Sequence, residues 1–300
     1  MRTIEIEKIS LLRDESILKD MDRFVDWNMS AHPLMNLVKI SQGGAFVARL
    51  QETNVGMIFA FPYANSVGWI AFLVVNPSYQ RKGIGTALLK KAISFLQDKE
   101  IRSIGLYATE DGTPLYERIG FVKSLTSARF TISGKEKLFT LKKKLNMINK
   151  PISFELREFS HADHQLLNQI ISFDNSIFEA NRKLIFQNRL KMGSWNCVCA
   201  LKNTNVVAFG MWRLIDNYFG FIGPLMGLES PVFQEVLPRI ILRLIENAAS
   251  SIYIGTNSSV MKKWLNSHNF SLGEQSLLMY LGKIPKINEQ MWAICHPSKG

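Results

Sequence analysis

The chain predicts an α/β protein built on a mixed sheet, α+β in character, and three observations carry that prediction. Val67 to Val75 is an almost unbroken apolar run rich in β-branched and aromatic residues, too short for a membrane span, which reads as a strand buried on both faces. Behind it Ile84, Leu88, Ala92, Phe95 and Leu96 recur at helical spacing, with Lys90, Lys91, Ser94 and Gln97 on the opposite face. The same alternation of short strands and helical faces then starts again after Pro151.

In chain order, Ile4, Ile6 and Ile9 predict a first strand. Residues 14 to 25 place Leu18, Met21, Phe24 and Val25 at near-helical spacing, and DWNMSAHPL (Asp26 to Leu34) follows. Gly44 to Leu50 and Val55 to Phe61 predict an antiparallel hairpin around the polar turn Gln51 to Asn54. Asn76 and Pro77 stop the central strand, and QRKGIG (Gln80 to Gly85) opens the helix. Ile101 to Thr109 is the next strand, and Asp111, Gly112 and Pro114 set up a turn into a short helix. Ser127 to Ile132 and Leu138 to Leu141 are expected as closing strands, and Asn146 to Pro151 as a linker. Beyond it come a strand from Phe154 to Arg157 and an N-cap at Ser160, with Asp163 three residues on. A second hairpin (Ser194 to Leu201, Val206 to Leu214), a strand from Tyr218 to Pro224 and a helix from Val232 to Ala249 follow. The last echo is a strand and short helix between Ser251 and Phe270.

Three hundred residues suggest two domains, placed at 1–146 and 151–300. No stretch approaches the roughly 20 apolar residues of a transmembrane helix, and the N-terminus has no apolar core of a signal peptide, so a soluble cytoplasmic protein is expected. Of three cysteines, Cys197 and Cys199 stand two apart in a predicted strand, on one face, with no second pair for zinc; five scattered histidines give no metal spacing either. The net charge is +11 and uneven: residues 1–150 hold 22 basic and 14 acidic side chains, against 14 and 11 in the remainder. Such a surface suits nucleic acid or a cofactor carrying several phosphates, and no nucleic-acid motif accompanies it. Lys142 to Lys144, the one tight basic cluster, reads as a solvated strand end or linker.

The strand–turn–helix junction carries the chemistry. The first amides of a helix have no partner inside it, and the helix dipole adds roughly half a positive charge there. Glycine at 83 and 85 lets a phosphate reach the main chain, and Arg81 and Lys82 add mobile positive charge. A glycine turn that merely tightens the junction is the plainer alternative. Neither the dinucleotide string GxGxxG with its later acid nor the P-loop string GxxxxGK is present.

With Gln80, Gly83 and Gly85 after a buried strand, the segment resembles motif A (Q/R-x-x-G-x-G/A) of the GNAT family of N-acetyltransferases. Thirty residues on, LYATEDGTPLYERIGF (Leu106 to Phe121) resembles that family's motif B. The resemblance implies tandem GNAT folds and acetyl-CoA as co-substrate, with no metal. Its pyrophosphate would lie on the amides and side chains of Arg81, Lys82, Gly83, Ile84, Gly85 and Thr86. The pantetheine arm would lie on main-chain groups of Leu73, Val74 and Val75, where the strand splays from its neighbour at a bulge. Thr109 stands where many members carry a cofactor-binding Asn. Tyr116 matches the tyrosine that lies beside the sulfur and protonates the departing thiolate. Asp26, Trp27 and Asn28 fall in the connection that walls the acceptor site; a buried Trp27 that only closes the core is the alternative. No acid lies between Val67 and Val75, so no general base declares itself, and Asp26, His32 and Glu110 are candidates.

The second half resembles a copy with its chemistry removed. GPLMGLESPVFQEV (Gly223 to Val236) holds no basic GxG turn, and Trp264 stands about where Tyr116 stood. Arg213, Asp216 and Tyr218 are candidates to help wall an acceptor pocket. The reading is therefore an acetyl-CoA-dependent N-acetyltransferase acting on a small-molecule or peptide amine, by direct attack in a ternary complex. The rivals are a non-catalytic CoA-binding regulatory or scaffold protein and, from the charge, a nucleic-acid-binding module; no nucleic acid and no membrane partner is expected.

Overall fold

The structure, a computed structural model, describes residues 4–25, 27, 33–63, 67–147, 154–159, 163–191, 193, 195–216, 218–228, 230–285 and 289–294. They form two compact units. Unit 1 comprises residues up to Ser124 together with Leu278–Ile284, and unit 2 runs from Leu125 to Leu277 with later residues from Pro285.

Unit 1 contains β1 (Ile4–Lys8), α1 (Ile17–Asp22), α2 (Leu34–Ser41), β2 (Ala45–Leu50), β3 (Thr53–Tyr63), β4 (Val67–Val75), α3 (Ile84–Gln97), β5 (Ser103–Ala108) and α4 (Thr113–Ile119). The strands lie in the order β1-β2-β3-β4-β5, antiparallel up to β4 and parallel between β4 and β5. Phe46, Phe59, Phe61, Trp69 and Ile70 are buried, as are Leu88, Leu89, Ala92 and Leu96 of α3, the predicted apolar face. A charged knot also lies inside: the Arg49 guanidinium bonds Asp14 at 2.5 Å and Glu7 at 3.2 Å, and also Asn54. Burying these charges is tolerable because each donor edge has an acceptor.

Unit 2 holds β6 from Leu125 onward (Val122–Ser133), α5 (Lys135–Asn146), β7 (Glu155–Phe159), α6 (His164–Phe178), α7 (Lys183–Lys191), β8 (Asn196–Lys202) and β9 (Asn205–Ile215). After these come β10 (Phe219–Gly227), α8 (Ser230–Glu246), β11 (Ser251–Thr256), α9 (Ser259–Ser267), most of β12 (Ser271–Gly282) and β13 (Met291–Ala293). Its strand order is β6-β11-β10-β9-β8-β7, with β13 on β10 and parallel pairing between β10 and β11. From β7 to α9 the elements repeat the order seen from β1 to α4.

Several expectations change. Leu138 to Leu141 is helix rather than strand: Leu138, Leu141 and Leu145 share one face of α5, all buried in the same core as Val236, Leu237 and Ile240 of α8. Lys142 to Lys144 therefore lie near a helix end, where Lys144 donates to the Ser267 carbonyl at 2.8 Å. For the same reason the contacts do not divide the chain after Asn146, since α5 packs in unit 2 and Leu278–Ile284 in unit 1. Most of the expected linker and Ser160 lie outside the described residues; the cap of α6 is Asp163, whose carboxylate accepts from Leu166 N–H at 2.9 Å. α7 and β13 had not been expected. Cys197 and Cys199 are buried on one face of β8, as predicted, and both are free thiols.

Candidate active site

The site in unit 1 grows from an interruption in β4. Its register against β3 shifts between Met57 and Phe59, leaving extra residues around Phe72, whose φ is +53°: a β-bulge. Against β5, pairing runs only from Val67↔Ser103 to Trp69↔Gly105, although β4 continues to Val75 and β5 to Ala108. The two parallel strands part there, so main-chain groups of Leu73, Val74 and Val75 border a gap with no strand partner on the β5 side among the described residues. At the root of the gap Trp69 and Tyr280 both crowd Gly105, where a Cβ would come within 2.5 Å and 2.8 Å of their rings.

The turn at the end of β4 is stiff for reasons visible in its residues. Asn76 Oδ1 accepts from Ser78 N–H at 3.0 Å over a 3₁₀ turn at Pro77–Tyr79, and Gln80 Nε2 donates to the Val75 carbonyl at 3.1 Å. Gln80 thereby pins the turn to the strand end, a role its place in the motif did not disclose. Arg81 follows with φ +62° and Gly83 with φ +82°, and a Cβ at Gly83 would meet nothing within 4 Å. α3 makes its first hydrogen bond from Ala87 N–H to the Gly83 carbonyl at 2.9 Å, so the amides of Ile84, Gly85 and Thr86 precede the helical ladder. Arg81 and Lys82 are exposed, the Lys82 ammonium donating to the Ser78 carbonyl at 3.2 Å, and the first turn of α3 carries no acid. An open left-handed glycine, unspent amides and two exposed cations fit a diphosphate.

Motif B closes on the same turn. A Cβ at Gly85 would lie 3.6 Å from both Leu115 of α4 and Val75 of β4, so all three elements meet there. Tyr116, one residue on, is 9% exposed and stands edge-on to Phe121 at 5.8 Å. Burial pushes its phenol well above the ordinary value, so it keeps its proton. Thr109 is exposed; its hydroxyl oxygen accepts from Gly112 N–H at 3.2 Å, which leaves the hydroxyl hydrogen to donate elsewhere.

The acceptor side is less complete. Asp26, Asn28 and His32 lie outside the described residues. Trp27 is 41% exposed, with its amide donating to Asp22 Oδ1 at 3.0 Å, so it does not close the core as a buried tryptophan would. Glu110 is exposed. Among the described residues no group of three or more His, Cys, Asp or Glu side chains is placed to hold a metal ion, and no helix is long and apolar enough to cross a membrane.

Unit 2 repeats the parting but fills it. β10 shifts register against β9 between Ile222 and Leu225, and it pairs with β11 only as far as Ile222↔Ile254. Into that space comes β13, pairing Leu225↔Ala293 and Met226↔Met291 on β10 and bonding Gly255 through Ile294 N–H at 3.0 Å. Thr256 Oγ1 donates to the Trp292 carbonyl at 2.5 Å, and a Cβ at Gly227 would lie 2.3 Å from the Trp292 ring. The segment that in unit 1 borders an open gap is here sealed by the chain itself.

A bulged strand that parts from its parallel neighbour above an amide-rich helix start defines a mixed α/β fold with a turn suited to an anion. Comparison with known proteins agrees. Residues 13–121 match the family described as Acetyltransferase (GNAT) family, and residues 170–293 match an Acetyltransferase (GNAT) domain. The chain belongs to the GNAT acetyltransferases and carries two such domains. It is 23% identical over 245 residues to the uncharacterized N-acetyltransferase YitH of Bacillus subtilis (strain 168), spanning 81% of this chain and 79% of that protein. A shorter likeness, 36% over 74 residues, links 24% of the chain to 27% of N-alpha-acetyltransferase 30 of Xenopus laevis. A crystal structure of a Pyrococcus horikoshii protein superposes with a TM-score of 0.78 at 20% identity, covering 100% of this chain and 97% of that one. A tandem GNAT protein from the clavulanic acid biosynthesis pathway gives 0.64 at 12% identity, covering 95% and 100%.

Proposed function

We propose that unit 1 transfers an acetyl group from acetyl-CoA to a primary amine by direct attack in a ternary complex. The observation that carries this reading is the joining, in one unit, of the open Gly83 turn with the parting of β4 from β5. The amides of Gly83, Ile84, Gly85 and Thr86, with Arg81 and Lys82, hold the diphosphate, and main-chain groups of Leu73, Val74 and Val75 hold the pantetheine arm. When bound, the co-substrate supplies an acyl group activated as a thioester. An N–H bordering the gap polarises the acyl carbonyl, where negative charge develops as the amine attacks. Tyr116 keeps its proton through neutral pH and donates it toward the departing sulfur as the C–S bond breaks, and the proton that the nitrogen sheds on forming the amide returns to the tyrosinate through water. The Thr109 hydroxyl donates to the cofactor, and the Asp26, Trp27, Asn28 segment walls the amine. Direct attack is favoured because Cys197 and Cys199 lie in unit 2, with thiols that burial pushes up. The likeness to an N-alpha-acetyltransferase brings a peptide amine into the acceptor class beside small amines.

A non-catalytic CoA-binding protein is the second reading, favoured by the absence of any acid on β4. Thiol release from acetyl-CoA across a panel of amines separates the two. Catalysis predicts release that depends on the amine, falls about 100-fold or more in Tyr116→Phe, and leaves calorimetric acetyl-CoA binding intact. Binding without release from any amine would support the scaffold instead, and parallel double-reciprocal lines would contradict direct attack.

A further inference from the structure

Unit 2 has a second feature that its sealed gap does not explain. Arg213 of β9 and Arg189 of α7 are 7% and 4% exposed, and their guanidinium carbons stand 5.1 Å and 4.0 Å from the centroid of the Trp195 indole, itself 7% exposed. Arg189 Nη1 donates to the Gly223 carbonyl, at the bulge of β10, at 3.2 Å. Nearby Arg182 pairs with Asp174 at 2.6 Å, both buried, and the Asp174 charge also acts on Arg189. Among the described residues Arg213 has no such balance. Its Nε is buried without a hydrogen-bond partner among them, and after desolvation the strongest influence on its charge is the like charge of Arg189. Burial and that repulsion bring the guanidinium down to about 10, while the acid that acts on it, Asp216, is exposed at the end of β9.

A buried cation with an unmet donor is costly unless something meets it. The donor is Nε, one half of the side edge of a guanidinium whose two parallel N–H groups match the two oxygens of a carboxylate. The surroundings are aromatic. Phe221 pairs in register with Arg213, Tyr253 with Phe221, and the rings of Trp195, Phe221 and Tyr253 follow one another at 5.7 Å and 4.7 Å. Aromatic walls suit a ligand of low charge, because desolvation rises steeply with charge and a dianionic phosphate would meet few donors there.

We propose that Arg213 and Arg189, stacked on Trp195 in unit 2, bind a small monocarboxylate. The duplicated fold thus keeps a binding function in its sealed half, distinct from acetyl transfer and independent of it. The ligand's carboxylate bridges toward the Arg213 Nε edge and relieves the repulsion between the two arginines. Its remainder lies against Tyr253, the least buried of the three rings.

The test uses the full chain at constant ionic strength, with sodium acetate, propionate, phosphate or chloride as probes. Acetate or propionate is expected to raise the unfolding temperature by about 3 °C relative to chloride near tenfold saturation, saturably. Tryptophan emission should shift with the same midpoint, and Trp195→Phe should lose the shift. Arg213→Met should abolish both responses, yet unfold in chloride at or above the wild-type temperature, since it removes an unbalanced buried charge. If Arg213→Met does not fold, Arg213→Gln and the wild-type emission titration decide. A wild-type protein indifferent to both carboxylates, a response that survives in the Arg213 variants, or a larger response to phosphate would each overturn the proposal.

Discussion

Tyr116 and Gly83 show what single residues decide. Burial raises the Tyr116 phenol, so its proton is retained below its ordinary value near 10 and given up only at higher pH than in the unfolded chain. The folded state is therefore favoured with Tyr116 neutral, and that contribution is fully present below about pH 10 and is lost as pH rises from there to the raised value. The rate profile is expected to show an acidic limb from the amine acceptor and no alkaline limb below about pH 10 attributable to Tyr116. Tyr116→Phe should lower the plateau without moving the acidic limb, and a profile of kcat against pH checks this. At Gly83, alanine meets no steric neighbour but must take a left-handed φ, at about 1 kcal/mol. Its methyl enters the space assigned to the diphosphate, so Gly83→Ala should raise KM for acetyl-CoA about tenfold with little change in melting temperature. Motif spacing names both positions as candidates, and the structure adds the burial of Tyr116 and the left-handed φ of Gly83. The exposure of Trp27 was not legible: one aromatic ring carries no period that tells exposed from buried, and the structure leaves it 41% exposed.

At the scale of elements, the longest periodic segments could be read and the ambiguous ones could not. β4 and α3 lie within a residue or two of where apolar run and helical face placed them. α5 was missed because Leu138 and Leu141 look like strand ends when Leu145 is left out; with it, the spacing is that of a helix. β13 is three residues long and has no period at all, yet it closes unit 2. Trp292, which fills the hollow over Gly227, is 3% exposed. Trp292→Ala should cost about 3 to 5 kcal/mol, visible in denaturant unfolding. It should confer no acetyl-CoA binding on unit 2, because the strand-to-helix connection from Gly223 to Val236 still lacks a basic glycine turn.

For the molecule as a whole, the repeat was legible in the recurrence of strand and helix patterns, and the partition of the chain was not. A sheet's sixth strand carries no mark of which copy it serves, and here unit 1 takes Leu278–Ile284 while unit 2 takes β6 from Leu125 onward. A fragment of residues 1–146 would leave β5 without the segment that bonds it, where Lys283 N–H meets the Arg102 carbonyl at 3.0 Å. Such a fragment should aggregate or remain partly unfolded. A fusion of residues 1–124 to 278–284 through a flexible linker should recover a cooperative transition, with circular dichroism and size exclusion as the readouts.

The Tyr280 ring beside Gly105 and Trp69 has one more implication. Ribosomes make proteins from the front, so unit 1 lacks the ring beside Gly105 until residue 280 has been translated, long after its other strands. On the proposed acetyl-CoA reading, nascent chains stalled before residue 278 should not be retained by immobilised coenzyme A, whereas chains released after Ile284 should be.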